Sequence, residues 1–146
     1  MTLSEFLLQK NRFLPEDMEI IKDYPPNIKQ IKEVFPILPE SMIFCWGDII
    51  YNPSGQDLAD HIKIHEVVHS DQQQNKPEEW WNEYLNDKDF RLKQELLAYQ
   101  RQYQFAKIYL KDRNELARFL WKLAQDLSSL YKVNIDFENA LKQIKE

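Results

Sequence analysis

The sequence predicts a mainly helical α+β fold, a set of packed helices carrying one small β-hairpin, and three observations predict it. Only two glycines occur in 146 residues, which suits long helices with short connections and leaves too few tight turns for a barrel or a sandwich. From Asp57 onward the apolar residues recur at helical spacing almost without a break. One stretch alone, "SMIFCWGDIIYNPSG", is dense in β-branched and aromatic residues around a central Gly-Asp pair.

Taken in order, residues 2–11 predict a short amphipathic helix opening at Thr2 or Ser4, with Leu3, Phe6 and Leu7 inward and Phe13 and Leu14 continuing that face. Pro15, Pro25, Pro26, Pro36 and Pro39 then cut the chain into short pieces, with helical turns over 16–22 and 28–35. The β-rich stretch predicts strands near 42–46 and 49–51 about Gly47-Asp48. A two-stranded ribbon is marginal alone, so it must rest on helices or find a further strand.

A first long helix is expected to open at Ser54–Asp57, where the S-x-x-D spacing suits a helix start, and to stop by Asn75-Lys76-Pro77. Pro77 with Glu78 and Glu79 opens a second, since proline and acids are favoured in a first turn, and it runs to about Leu85. Helices over about 90–110, 112–131 and 134–145 complete the chain. Trp80 and Trp81 project about 100° apart on their helix, so core packing is the expectation for both, with one of them open to lining a cleft. Trp46 and Trp121 are assigned to the core.

Composition bounds the function. With 43% hydrophobic and 13% aromatic residues, the chain can bury a core and reads as one domain over 1–146. A net charge of -5 with dispersed Lys and Arg gives no footprint for a phosphate backbone, so no nucleic-acid partner is expected. Cys45 is the single cysteine, which leaves no internal disulfide and no cysteine zinc cage. The start "MTLSEFLLQKNRF" lacks the layout of a signal peptide, and no apolar run is long enough to span a bilayer. The expectation is a cytoplasmic protein with no membrane partner and an open oligomeric state.

The chemistry is concentrated in "HEVVH", residues 65–69. At 100° per residue, His65 and His69 leave one face of a helix a turn apart, so two imidazoles can meet one ion. This is the HExxH pattern of zinc hydrolases. Glu66, offset around the helix, can reach a water on the ion without ligating the metal, the placement a general base needs. The bland alternative is a surface helix with solvated histidines.

Catalytic zinc takes a third protein ligand. His61 shares the face, but eight residues of helical rise separate the Cα atoms of positions 61 and 69 by about 12 Å, too far for one helix to supply all three. Glu95 falls within or beside an apolar stripe formed by Leu92, Leu96, Tyr99, Tyr103, Ala106 and Leu110, where a carboxylate is costly unless paired or metal-bound. Its alternative role is a buried salt bridge to Arg91 or Arg101. Glu78, Glu79 and Glu83 read as solvated acids of an early helix.

"HEVVH" followed about 25 residues later by "QELLAY" resembles the gluzincin layout of thermolysin-like metallopeptidases. More closely, "WGDIIYNPSG", "HEVVHSDQQ" and "FRLKQELLAYQRQY" resemble a family of short HExxH, gluzincin-like zincins encoded in phage and bacterial genomes. The resemblance covers residues 42–106, with the C-terminal helices packing on that region. It implies a minimal zincin-like metallopeptidase architecture, Zn2+ held by His65, His69 and Glu95, and Glu66 as catalytic base. The chain lacks the NExxSD string of the thermolysin-like enzymes, which leaves the group that orients the ligand histidines unassigned; Asp71 and Gln72 are the nearest candidates.

Tyr84, Tyr99, Tyr103 and His61 are the candidate donors to a transition-state oxyanion, although Tyr99 is better placed to pack beneath the site. The strand at 42–46 is the candidate edge for an extended peptide. The leading reading is a zinc-dependent metallohydrolase, a peptidase acting on a peptide or protein substrate. The alternative is a catalytically inactive zincin-like binding or assembly module, phage-related, with a structural metal. A third reading is a helical adaptor without metal.

Overall fold

The computed structural model describes residues 18–146. The helix expected over residues 2–11 lies outside the described residues. Among those described are three strands, β1 (Glu19–Ile21), β2 (Phe44–Trp46) and β3 (Ile49–Tyr51), and six helices: α1 (Ile28–Val34), α2 (Asp60–Gln73), α3 (Pro77–Asn86), α4 (Lys88–Tyr109), α5 (Arg113–Leu130) and α6 (Phe137–Lys145). The fold is mainly helical with one small sheet, as the sequence predicts.

The hairpin forms where expected. Gly47 takes φ +63° at the first central position of the two-residue turn, the place where a type II′ turn puts glycine. β2 and β3 pair antiparallel with Cys45 opposite Ile50. Its missing support is β1, which joins β3 in parallel with Ile20 opposite Ile50, giving the order β1-β3-β2. The expectation of helix over 16–22 is thereby corrected at residues 19–21. The main chain there bonds to a strand about thirty residues away, a partner no local pattern announces.

Two other boundaries shift. α2 starts at Asp60 rather than at Ser54–Asp57, because Asn52 Nδ2 donates to the Gln56 carbonyl and Gln56 Nε2 to the Ser41 carbonyl, tying this segment to the hairpin base. It ends at Gln74 and Asn75, both in left-handed conformation. The last helix starts at 137 rather than 134 because Asp136 caps it, accepting from Asn139 N. Asp87 and Asp112 cap α4 and α5 in the same way, and Pro77 with Glu78 and Glu79 opens α3 as predicted.

α2 lies along α4, buried between it and the sheet. One core joins Cys45, Ile50, Ile64, Val67 and Phe105. A second, around Ile31, Phe35, Phe44, Trp80, Trp81 and Tyr84, fills the space between α1, β2 and α3. A third packs α5 and α6 on the outer face of α4 through Tyr99, Tyr103, Leu123, Leu127 and Ile144. Trp80 and Trp81 are both buried, in keeping with core packing, whereas Trp121 is half exposed rather than core, its ring edge on Phe137. No helix among the described residues is long and apolar enough to cross a membrane.

Candidate metal centre

α2 presents His65, Glu66 and His69 from its buried face, with Ile64 and Val67 anchoring that helix against the sheet. α4, packed alongside, brings Glu95 to meet them. Nε2 of His65 lies 3.1 Å from Nε2 of His69, and Glu95 Oε1 lies 3.0 Å from the first and 3.2 Å from the second. Among the described residues these three form the one His/Cys/Asp/Glu group compact enough for a metal ion. Two atoms each 2.0–2.1 Å from a tetrahedral zinc sit about 3.3 Å apart, so the spacing fits.

The hydrogen positions around the triad decide what the spacing means. His69 Nδ1 is 2.8 Å from Gln72 Oε1, and Gln72 Nε2 donates to the Gln94 main-chain carbonyl at 3.0 Å. A carbonyl only accepts, so the amide cannot be turned over, and Nδ1 of His69 must carry the hydrogen it gives to Gln72. His65 Nδ1 meets Gln102 Oε1 at 2.8 Å, and Gln102 Nε2 meets His61 Nδ1 at 2.8 Å. His69 thus spends Nδ1–H outward and turns Nε2 to the Glu95 carboxylate, and His65 turns its own Nε2 to the same oxygen. Three electron-rich atoms converge in a buried place, an arrangement that is costly without a cation between them.

With no ion, a proton takes that role. Burial would push His69 down, but the charge and hydrogen bond of Glu95 outweigh it and hold the imidazole up to about 9. Burial likewise opposes the Glu95 charge, but the imidazoles of His69 and His65 hold its carboxyl well below the usual carboxylate range. Tyr84 donates its hydroxyl to the other oxygen, Glu95 Oε2, at 2.5 Å. The salt bridge to arginine that the sequence offered for Glu95 is not its partner set: Arg91 spends its guanidinium on the carbonyls of Tyr84, Tyr131 and Lys132.

Glu66 stands apart from the ligand group, its Oε2 4.0 Å from His65 Nε2. Burial raises its pKa, which brings a carboxylate toward the range where it both takes and returns a proton. Two spaces meet at His65 and Glu66. A small cavity of about 60 Å³ contains the ligand side chains and is walled by Trp80, Trp81, Phe35 and Leu38. A larger groove of about 410 Å³ runs outward past Ile43, His61 and Phe119.

The candidate oxyanion donors are placed differently from one another. Tyr84 is committed to Glu95. Tyr99 packs its ring edge against His65 at 4.6 Å and shares its hydroxyl with Tyr131 at 2.6 Å, so it lies beneath the site. Tyr103 sits in the outer core. His61 borders the outer groove and bonds Gln102, one step removed from the centre.

Two participants, Gln102 and Tyr131, escaped the sequence, and a third, Gln72, was only ambiguously marked. Gln102 is a glutamine on a helix, with no charge to mark it; its spacing of one turn plus three residues from Glu95 was the only signal. Gln72 was named, but without a reason to prefer it over Asp71. Tyr131, which lines both spaces, follows α5 and reaches the site only through tertiary packing. Comparison with family models, curated proteins and solved structures returns no match for this chain, so its chemistry is argued from the geometry of the centre itself.

Proposed function

We propose that this protein is a zinc-dependent hydrolase of peptide or amide bonds, with His65, His69 and Glu95 holding the ion and Glu66 as general base. The observation that supports it is the convergence of two imidazole nitrogens and one carboxylate oxygen in a buried place, steadied from behind by Gln72, Gln102 and Tyr84. A zinc ion with three protein ligands and an open position acts as a Lewis acid on a carbonyl and acidifies a bound water.

The chain's own groups do the rest. Glu66, held beside but off the ligand set, accepts a proton from the attacking water and delivers it to the departing nitrogen, a role its raised pKa favours. Trp80, Trp81 and Tyr84 keep bulk water from the ligands and lower the local dielectric. Tyr131, in contact with both spaces and supported by Tyr99, is the donor for the carbonyl oxygen as charge develops. Two histidines and one carboxylate also suit iron(II) oxygenases, but the off-set buried Glu66 is a feature hydrolysis uses and oxygenation does not.

The second reading, a binding or assembly module with a structural metal, shares the ligands and differs at Glu66. The deciding experiment replaces Glu66 with Gln in zinc-loaded protein. A hydrolase loses turnover of peptide or amide substrates and keeps one zinc per chain; a structural site loses neither metal nor binding function.

A further inference from the structure

The edge of β2 away from β3 pairs with no strand among the described residues, and side chains already fill part of it. Gln73 Nε2 donates to the Cys45 carbonyl at 2.9 Å, while its Oε1 accepts from Gly47 N at 2.7 Å. One side-chain amide thus presents a donor and an acceptor to alternate residues, as a neighbouring strand would. Trp81 Nε1 adds a second bond to the same Cys45 carbonyl at 2.9 Å. Gln73 is 2% exposed, so an incoming chain cannot displace it from solvent. By strand alternation the next main-chain pair facing outward is that of Ile43, the residue that borders both the inner cavity and the outer groove.

The two spaces are as unequal as the two halves of the edge. The groove beside Ile43 has about 410 Å³ and runs over apolar Phe119 and Leu123 to the Lys122 and Asp126 pair at its rim. The cavity beyond Glu66 has about 60 Å³, holds the ligands themselves, and is walled by Trp80 and Trp81. With an ion in place, its remaining room is that of a few waters or one small substituent.

We infer that the substrate reaches the centre from one side only: an extended, largely apolar peptide whose reacting amide joins it to one small terminal group, a Gly or Ala residue or a short acyl cap. This rests on the hydrolase reading above and adds where along the chain the cut falls. In the step, the C–N bond of that terminal amide breaks, water gives OH to the acyl carbon, and its remaining proton passes through Glu66 to the leaving nitrogen. Arg91, whose guanidinium lies over the cavity-wall rings of Phe35 and Tyr84, is spent on main-chain carbonyls and offers the small group no charged anchor.

The test incubates the full zinc-loaded chain with a panel of unstructured ten-residue peptides, their ends free, formylated or acetylated and their terminal residues varied from Gly to Trp. Mass spectrometry reads the products, with E66Q as control. The expected result is loss of one small terminal residue or acyl cap, at least tenfold faster for Gly, Ala or formyl than for Leu or Trp. Internal cuts with three or more residues on each side overturn this inference and leave the hydrolase intact. Absence of any Glu66-dependent product from the whole panel removes the hydrolase reading and this inference with it.

Discussion

Gln72 Oε1 receives the Nδ1 hydrogen of His69 at 2.8 Å, and because Gln72 is pinned through Nε2 to the Gln94 carbonyl, the tautomer of His69 is set by the main chain of a different helix. Nε2 of His69 is therefore the nitrogen turned to Glu95, the one that a proton or a cation would share with that carboxylate.

Zinc is expected at one equivalent per chain after purification, measured by elemental analysis, and lost on H65A or E95A substitution. At one hundred times its dissociation constant the ion adds about 2.7 kcal/mol of stability. For a domain of this size that raises Tm by roughly 8 °C, so chelator should lower the midpoint by a comparable amount. Unchanged metal content in E95A would remove Glu95 from the ligand set.

Turnover should fall by about 10²- to 10⁴-fold in E66Q with zinc content unchanged. A variant that loses metal as well as activity would show that Glu66 ligates, contrary to its 4.0 Å separation from His65 Nε2.

Gln102 joins two imidazoles, its Nε2 2.8 Å from His61 Nδ1 and its Oε1 2.8 Å from His65 Nδ1; with His61 as acceptor, that bond orients the amide. In H61F the aromatic contact with Phe119 is kept and the acceptor is lost, so the amide is free to turn and offer a hydrogen to His65 Nδ1. Zinc affinity is expected to drop about tenfold. Nitrogen-15 chemical shifts of His65 should show partial transfer of its hydrogen from Nδ1 to Nε2 in the metal-free variant, a change that simple loosening of the fold would not produce.

Proton and metal compete for the same lone pairs. The metal-free His69 imidazole, raised to about 9 by Glu95, holds a proton throughout the neutral range. Binding an ion must expel it, so zinc affinity should rise about tenfold per pH unit up to roughly pH 9 and then level off. Calorimetry in buffers of different ionisation enthalpy should count about one proton released per ion at pH 7.5. The metal-free fold follows the opposite course: the His69 contribution is complete below the ordinary histidine value and is lost as pH climbs through 9.

In Y131F, loss of the hydroxyl from a residue that lines both spaces should cut kcat by about a hundredfold with zinc content retained. An unchanged kcat would leave Tyr131 as packing for Tyr99.

The parts of the centre legible in the sequence are those whose logic is local. His65, Glu66 and His69 sit on one helix at a spacing geometry alone explains, and Glu95 betrays itself as a charge within an apolar stripe. The hairpin at Gly47-Asp48 was legible for the same reason. What stayed hidden depends on distant partners. β1 is a strand only because β3 accepts it, Gln73 reads as a helix end until its amide is seen closing a sheet edge, and Gln102 and Tyr131 carry no charge or motif. Trp121 misled because a large aromatic ring predicts burial, yet its helix turns it outward against Phe137.

Arg91 gathers carbonyls from the ends of two helices: Tyr84 and Leu85 closing α3, Tyr131 and Lys132 following α5. Tyr84, whose hydroxyl steadies Glu95, and Tyr131, a residue lining both spaces, thus hang from one guanidinium knot. Truncating the protein after Leu110 would strip that knot of half its acceptors and strand a charge in the interior. The terminal helices are accordingly no detachable appendage: the His65, His69 and Glu95 group and the last quarter of the chain stand or fall as a unit.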